Sequence, residues 1–274
     1  MTDSKELRED PPLLDRLLQF IDDSPSPYHA ADTAKSLLTG AGFDDVTADE
    51  AWEPHAAVVV RRGGSAIAHR PSHNMDPDRL EFRIVGAHTD SPNLRIKPQP
   101  DTGAVGYRQL GVEVYGGVLL NSWLDRDLGV SGRIAIDDGH GERTELVRVD
   151  RPLLRVAQLA IHLDPKVNDG LVLDKQLHLS PLWGLGDADP GGFGRFLAAE
   201  AGVDPDHVKA WDIMAHDLTP SCRLGIDEEF YVAPRIDNLA SCHAAIEALA
   251  GVERLADDSV AVVVLFDHEE IGSE

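Results

Sequence analysis

Cysteine, lysine and long apolar runs are what this sequence has least of, and each shortage removes a class of protein. Only Cys222 and Cys242 are present, too few to staple a chain of 274 residues, and neither belongs to a C-x-x-C pair. Both read as ordinary buried thiols. No stretch approaches the ~18 apolar residues of a membrane-spanning helix, and the N-terminal MTDSKELREDPPLL has no signal-peptide core. The sequence therefore predicts a soluble, cytoplasmic protein with no membrane partner. Phosphate loops of the G-x-G-x-x-G or Walker type are missing, as is the G-x-S-x-G elbow, which removes nucleotide-dependent and elbow-serine chemistry. Basic residues are scarce: 25 Lys and Arg, only six of them Lys, face 48 Asp and Glu, for a net charge of −23 and a pI near 4.7. Such a charge argues against nucleic acid as a partner. It resembles the composition of proteins from salt-loving microbes, where screening relieves self-repulsion, and points to a halophilic archaeon as the source.

What is present is enough apolar sequence, 42%, to fill the core of one large or two modest domains. Leu14, Leu17, Leu18 and Ile21 share one face of a helix predicted over residues 11–22, and a second helix follows the proline-set turn SPSP and ends near Gly40 or Gly42. AAVVVRR, SAIAHR and EFRIVGAH then read as short strands, the last running into the polar turn HTDSP. From about residue 95 to 233 the texture changes to short alternating stretches such as GVEVYGGVLL, GRIAID and TELVRV, punctuated by Gly and Asp. That middle reads as a separate, mainly β module. PRIDNLASCHAAIEALAGV returns to helical spacing with Asp237 or Asn238 near the N-cap, and SVAVVVLFD has the continuous apolar character of a strand buried on both faces.

Three polar clusters close apolar segments: His88 with Asp90, then Asp237, then Glu269 with Glu270. In open α/β sheets ligands collect beyond the carboxyl ends of the strands, so such clusters can converge although far apart in sequence. A carboxylate two residues from a histidine can accept one ring N–H and raise the basicity of the other nitrogen; an HxD surface turn serves equally well. Asp237 can bridge two cations, or simply cap its helix, worth about 1 kcal/mol. Glu269 and Glu270 diverge on a turn, so one can ligate a cation while the other faces water; an acidic loop on an acidic protein is the alternative.

Six blocks together resemble one family, the aspartyl aminopeptidases: FIDDSPSPYHA, GAHTDSPNLRIKP, YGGVLLNSWLDRDLGVSGR, RPLLRVAQLAIHL, FYVAPRIDNLASC and FDHEEIGSE, in family order from residue 20 to the last. The resemblance implies an α/β metallopeptidase domain, residues 1–94 and 234–274, incomplete at its C-terminus and interrupted by a β-rich dimerisation module at 95–233. It implies two divalent metal ions, zinc or alternatively Mn²⁺ or Co²⁺, with His88 and Glu270 as ligands, Asp237 as the bridge, Asp90 orienting His88 and Glu269 as general base. Peptides beginning with Asp or Glu would be the substrates. Dimers would build a dodecamer in which His162 reaches a neighbour's site; on its own apolar segment that histidine reads as a core residue.

Of the family's ligand set, the resemblance places only His88, Asp237 and Glu270 in this chain, so it also implies an N-terminal portion, inactive alone. A non-catalytic oligomeric scaffold, or a related two-metal aminopeptidase with another preference, are the other readings.

Overall fold

The computed structural model describes residues 12–49, 52–53 and 55–272. Helix α1, Leu13–Asp22, follows Pro12 and buries Leu18, Phe20 and Ile21; Pro11, the expected first residue, lies outside the described residues. Helix α2, Pro27–Gly40, is entered through Ser26, whose hydroxyl accepts the His29 N–H, with Pro27 in the first turn where its missing N–H costs nothing. Strands β1 (Asp44–Asp45), β2 (Val58–Arg62), β3 (Ser65–Pro71) and β4 (Glu81–His88) come next.

The chain then enters a second sheet through β5 (Asn93–Ala104), β6 (Tyr107–Tyr115), β7 (Leu128–Asp137), β8 (Glu142–Leu154), β9 (Leu182–Leu185) and, after helix α3 (Gly192–Ala201), β10 (Val208–Asp217). A small hairpin, β11 (Cys222–Leu224) and β12 (Phe230–Val232), leads to helix α4 (Ile236–Ala250) and the last strand, β13 (Ser259–Phe266). YGGVLL does not continue as a strand. The chain leaves β6 at Tyr115 and turns through a short 3-10 helix, Leu120–Trp123.

Two cores result. The first sheet, in the order β1-β2-β3-β13-β4, packs Val59, Ala66, Ala68, Val263 and Leu265 against Ile21, Ala34, Leu38, Leu239 and Ile246 of α1, α2 and α4. The second, all antiparallel in the order β8-β7-β10-β5-β6-β9, buries Leu94, Leu110, Val130, Ile134 and Ile213 with Phe193 and Leu197 of α3. Each fully buried Leu, Ile or Phe contributes roughly 1.5–3 kcal/mol.

Two expectations fail because, among the described residues, a face is left open to solvent. β13 lies centrally between β3 and β4 yet is not buried on both faces: the helices pack on one side, while Phe266 is 52% exposed and Ile67, Phe82 and Ile84 on the neighbouring strands are also open to solvent. Cys222 is exposed on β11, whose two-stranded hairpin with β12 joins neither larger sheet and is tied to α1 only at its edge, through Arg223 to Asp15; only Cys242, inside α4, is a buried thiol.

Candidate metal centre

β4 and β13 run parallel, with His88 opposite Phe266, so the segments leaving the two strands emerge side by side. HTD follows one and DHEE the other. The chain past β13 is bent by His268 in the left-handed region (φ 72°) into a single 3-10 turn, Glu269–Ile271. That turn is fastened from beneath by Asp90. Its carboxylate is fully buried, 0% exposed, and accepts the backbone N–H of Glu269 (3.2 Å) and of Glu270 (3.1 Å) and the hydroxyl of Tyr115 (2.7 Å). With their backbone groups so held, the two glutamate side chains are turned towards His88.

His88 Nδ1 faces two oxygens of Asp90, its backbone carbonyl at 3.1 Å and carboxylate Oδ1 at 3.4 Å. The carbonyl is the closer partner. Both are acceptors, so Nδ1 carries the proton and Nε2 directs its lone pair the other way. There it meets Asp237 Oδ1 at 3.3 Å and Glu269 Oε2 at 3.7 Å. A lone pair facing carboxylates requires a proton or a cation between them.

Asp237 is delivered by a break in α4 rather than by a cap. Arg235 precedes the helix in the left-handed region, Asp237 and Asn238 have non-helical backbone angles, and no side chain caps the helix. The Asn238 side-chain oxygen accepts the His88 N–H (3.3 Å), and Ser91 Oγ donates to the Asp237 carbonyl (3.1 Å), which ties the break to the HTD segment. Asp237 itself is 82% exposed. Cys242, one turn into the helix, donates its thiol to the His88 carbonyl; burial pushes that thiol up to about 12.

One ligand atom each from His88, Glu269 and Glu270 lie within 4.8 Å of one another. Burial, with Asp90, Asp237 and Glu269 nearby, holds the Glu270 carboxyl above its ordinary range, against the opposing effect of His88. Crowded carboxylates around an imidazole lone pair are a donor set for a divalent, borderline cation such as zinc, whose charge removes the repulsion. The residues present fit that ion.

The comparisons with known proteins agree. The family described as Peptidase_M18, aminopeptidase I zinc metalloprotease (M18), matches residues 20–274. The chain belongs to this family. It is 52% identical over 277 residues to a probable M18 family aminopeptidase 2 of Streptomyces avermitilis and 45% identical over 267 residues to one of Mycobacterium tuberculosis; it spans 63% and 60% of their lengths. Among solved structures, a chain of the cryo-EM structure of the Ape4 and Nbr1 complex superposes with a TM-score of 0.88 at 35% identity, over 95% of this chain and 55% of that one. Chaetomium thermophilum mApe1 superposes with a TM-score of 0.85 at 29% identity, over 95% and 63%. These M18 relatives are of bacterial and fungal origin by name and lend no support to a salt-loving archaeal source.

For an M18 chain the structure brings together His88, Asp90, Asp237, Glu269 and Glu270. Glu269, read from the sequence as a base, joins the three-residue group of ligand atoms, and Asp237 adjoins it through His88. His162 is the residue expected to serve a neighbouring copy's site rather than this cluster. It sits on an exposed turn between β8 and β9 rather than in a core, with no hydrogen bond or ion pair to the cluster among the described residues. Tyr115 escaped the sequence reading; it stands inside the quoted block YGGVLLNSWLDRDLGVSGR, and that was the only signal for it.

Proposed function

We propose that the cluster at the ends of β4 and β13 is the metal centre of an aminopeptidase, and that His88, Asp237 and Glu270 hold two divalent ions there, zinc in the first instance. The observation that carries this reading is the convergence of His88, Asp237, Glu269 and Glu270 from three separate segments, with an imidazole lone pair aimed at carboxylates. When bound, the ions lower the pKa of water and polarise the peptide carbonyl.

The chain's own residues do the rest. Asp90 holds the His88 ring through its carbonyl and carboxylate and holds the 269–270 turn through both backbone N–H groups. Glu269, half exposed, with its backbone N–H held by Asp90 and its carboxylate 3.7 Å from His88 Nε2, can take a proton from water and return it to the leaving amine. Three ligand residues shared between two ions are fewer than such ions need, so on this reading the 274 residues alone turn over peptide poorly.

The substrates are peptides with N-terminal Asp or Glu; this finer reading rests on the sequence blocks alone. The β-rich half is the surface joining copies of the chain, supported by the exposed Leu159, Leu163, Val172, Leu177 and Leu185. The setting is cytoplasmic.

The test uses the chain in its longest available form, with Asp-, Glu-, Leu- and Ala-initiated dipeptides. Glu269→Gln should lower turnover by about 100- to 10,000-fold with zinc still bound, whereas His88→Ala and Glu270→Gln should lose zinc. Turnover by Glu269→Gln at the wild-type rate would remove Glu269 from the chemistry. Zinc retained by His88→Ala would refute the metal centre.

A further inference from the structure

The most buried charge in the site is Asp90, and its only side-chain donor among the described residues, apart from His88, comes from the other sheet. Asn93 of β5 pairs with Tyr115 of β6, which sets the end of β6 directly beneath the HTD turn. The Tyr115 hydroxyl donates to Asp90 Oδ2 at 2.7 Å and lies 3.2 Å from His268 Nδ1. A buried carboxylate needs its lone pairs filled, and the two backbone N–H groups of the 269–270 turn leave room for one strong donor.

The tyrosine is itself clamped. The Arg95 guanidinium lies over its ring, 4.0 Å from the centroid. Arg95 in turn is bound by both oxygens of Asp212 on β10, at 2.8 and 3.0 Å, and Asp212 also accepts the hydroxyl of Tyr28 on α2. Burial and the carboxylate beside it hold the Tyr115 phenol well above its ordinary range, so it remains a donor at all working pH.

We propose that Tyr115 is a positioning residue for the metal centre: through Asp90 it fixes His88 and the Glu269–Glu270 turn, and the chain Asp212–Arg95–Tyr115 makes cation affinity depend on the β-rich half. This rests on reading the cluster as a metal centre.

Co²⁺ is the probe, titrated into the full chain and followed by its visible absorption and by calorimetry. Tyr115→Phe keeps the ring and removes the hydroxyl; it should weaken Co²⁺ binding about 10- to 100-fold and change the spectrum. The metal-free variant should still melt cooperatively, only a few degrees below wild type for the one donor Asp90 loses, which separates positioning from a general loss of structure. Co²⁺ affinity and spectrum both unchanged in Tyr115→Phe, while His88→Ala is impaired, would overturn the inference and leave the metal centre standing. If His88→Ala binds like wild type, the metal centre fails and this inference with it. Should Tyr115→Phe not fold, Arg95→Met keeps the hydroxyl but frees the ring; it should weaken binding in the same direction, and an unchanged affinity would overturn the proposal.

Discussion

Gly116, next to Tyr115, shows how tightly single residues constrain this site. Its backbone is left-handed (φ 73°), and a Cβ there would stand 3.1 Å from the Cβ of Glu270 and 3.4 Å from its carboxylate. Gly116→Ala therefore combines backbone strain of about 1–3 kcal/mol with pressure on the side chain read as a ligand. The expected outcome is a lower melting temperature together with weaker zinc binding; loss of stability with zinc affinity intact would show that Glu270 yields without consequence. His88, Asp90, Asp237, Glu269 and Glu270 were legible in the sequence because their side-chain chemistry is conspicuous at the ends of apolar segments. Tyr115 and Gly116 were not, because their importance comes from strand register: only the Asn93–Tyr115 pairing puts that hydroxyl under Asp90.

At the scale of elements the instructive case is the entry to α4. Periodicity located the helix, and its residue types suggested a capped start at Asp237 or Asn238; the structure instead has an uncapped start with a break. The reason lies in Arg235, which no local rule singles out. Its guanidinium is half-buried and reaches back to the carbonyls of Ser24 (3.1 Å) and Ile21 (3.1 Å) where α1 ends. Burial lowers its pKa to about 10, with Asp22 and Asp217 acting the other way. Anchoring of this kind fixes the chain two residues before Asp237, and propensity cannot report it. Arg235→Met removes both bonds and leaves a buried carbonyl and nearby carboxylates without their cation, a loss of about 2–3 kcal/mol. Arg235→Lys recovers only part of it, since one ammonium does not reproduce the planar fork. Urea denaturation of the two variants measures this; a Lys variant as stable as wild type would reduce the role of Arg235 to charge alone. The same limit explains β13: its apolar run marks a central strand, but the open face beside Phe266 is decided by which elements cover the sheet.

For the whole molecule, the net charge of −23 and a set of buried histidines respond to acid in opposite senses. Protonating surface carboxylates and histidines relieves self-repulsion and favours the compact state. His29 opposes this. It sits on α2 with Ser26 Oγ 2.7 Å from its Nδ1, facing Arg148 and Asp150 of β8, His216 of β10 and Arg235 before α4. Burial, then Arg148 and His216, push its pKa down to about 4 from an ordinary 6.5, with Asp150 resisting. The folded state therefore keeps His29 neutral while the unfolded chain takes up a proton. Its stabilising contribution is complete above pH 6.5 and is lost as the pH falls towards about 4. His216, lowered by burial against the pull of Asp150, adds to the slope in the same direction. The depressed carboxyls of Asp150 and Glu247 begin to matter only nearer the ordinary carboxylate range, about pH 4. Salt separates the two opposing effects, because at about 1 M the screening length is ~3 Å and surface repulsion is largely gone. In about 1 M KCl the urea midpoint of the metal-free chain should fall as the pH drops from 6.5 towards 4, and His29→Gln, which keeps a polar group beside Ser26, should flatten that fall. A variant whose profile follows wild type throughout would show that His29 takes up its proton equally well in both states.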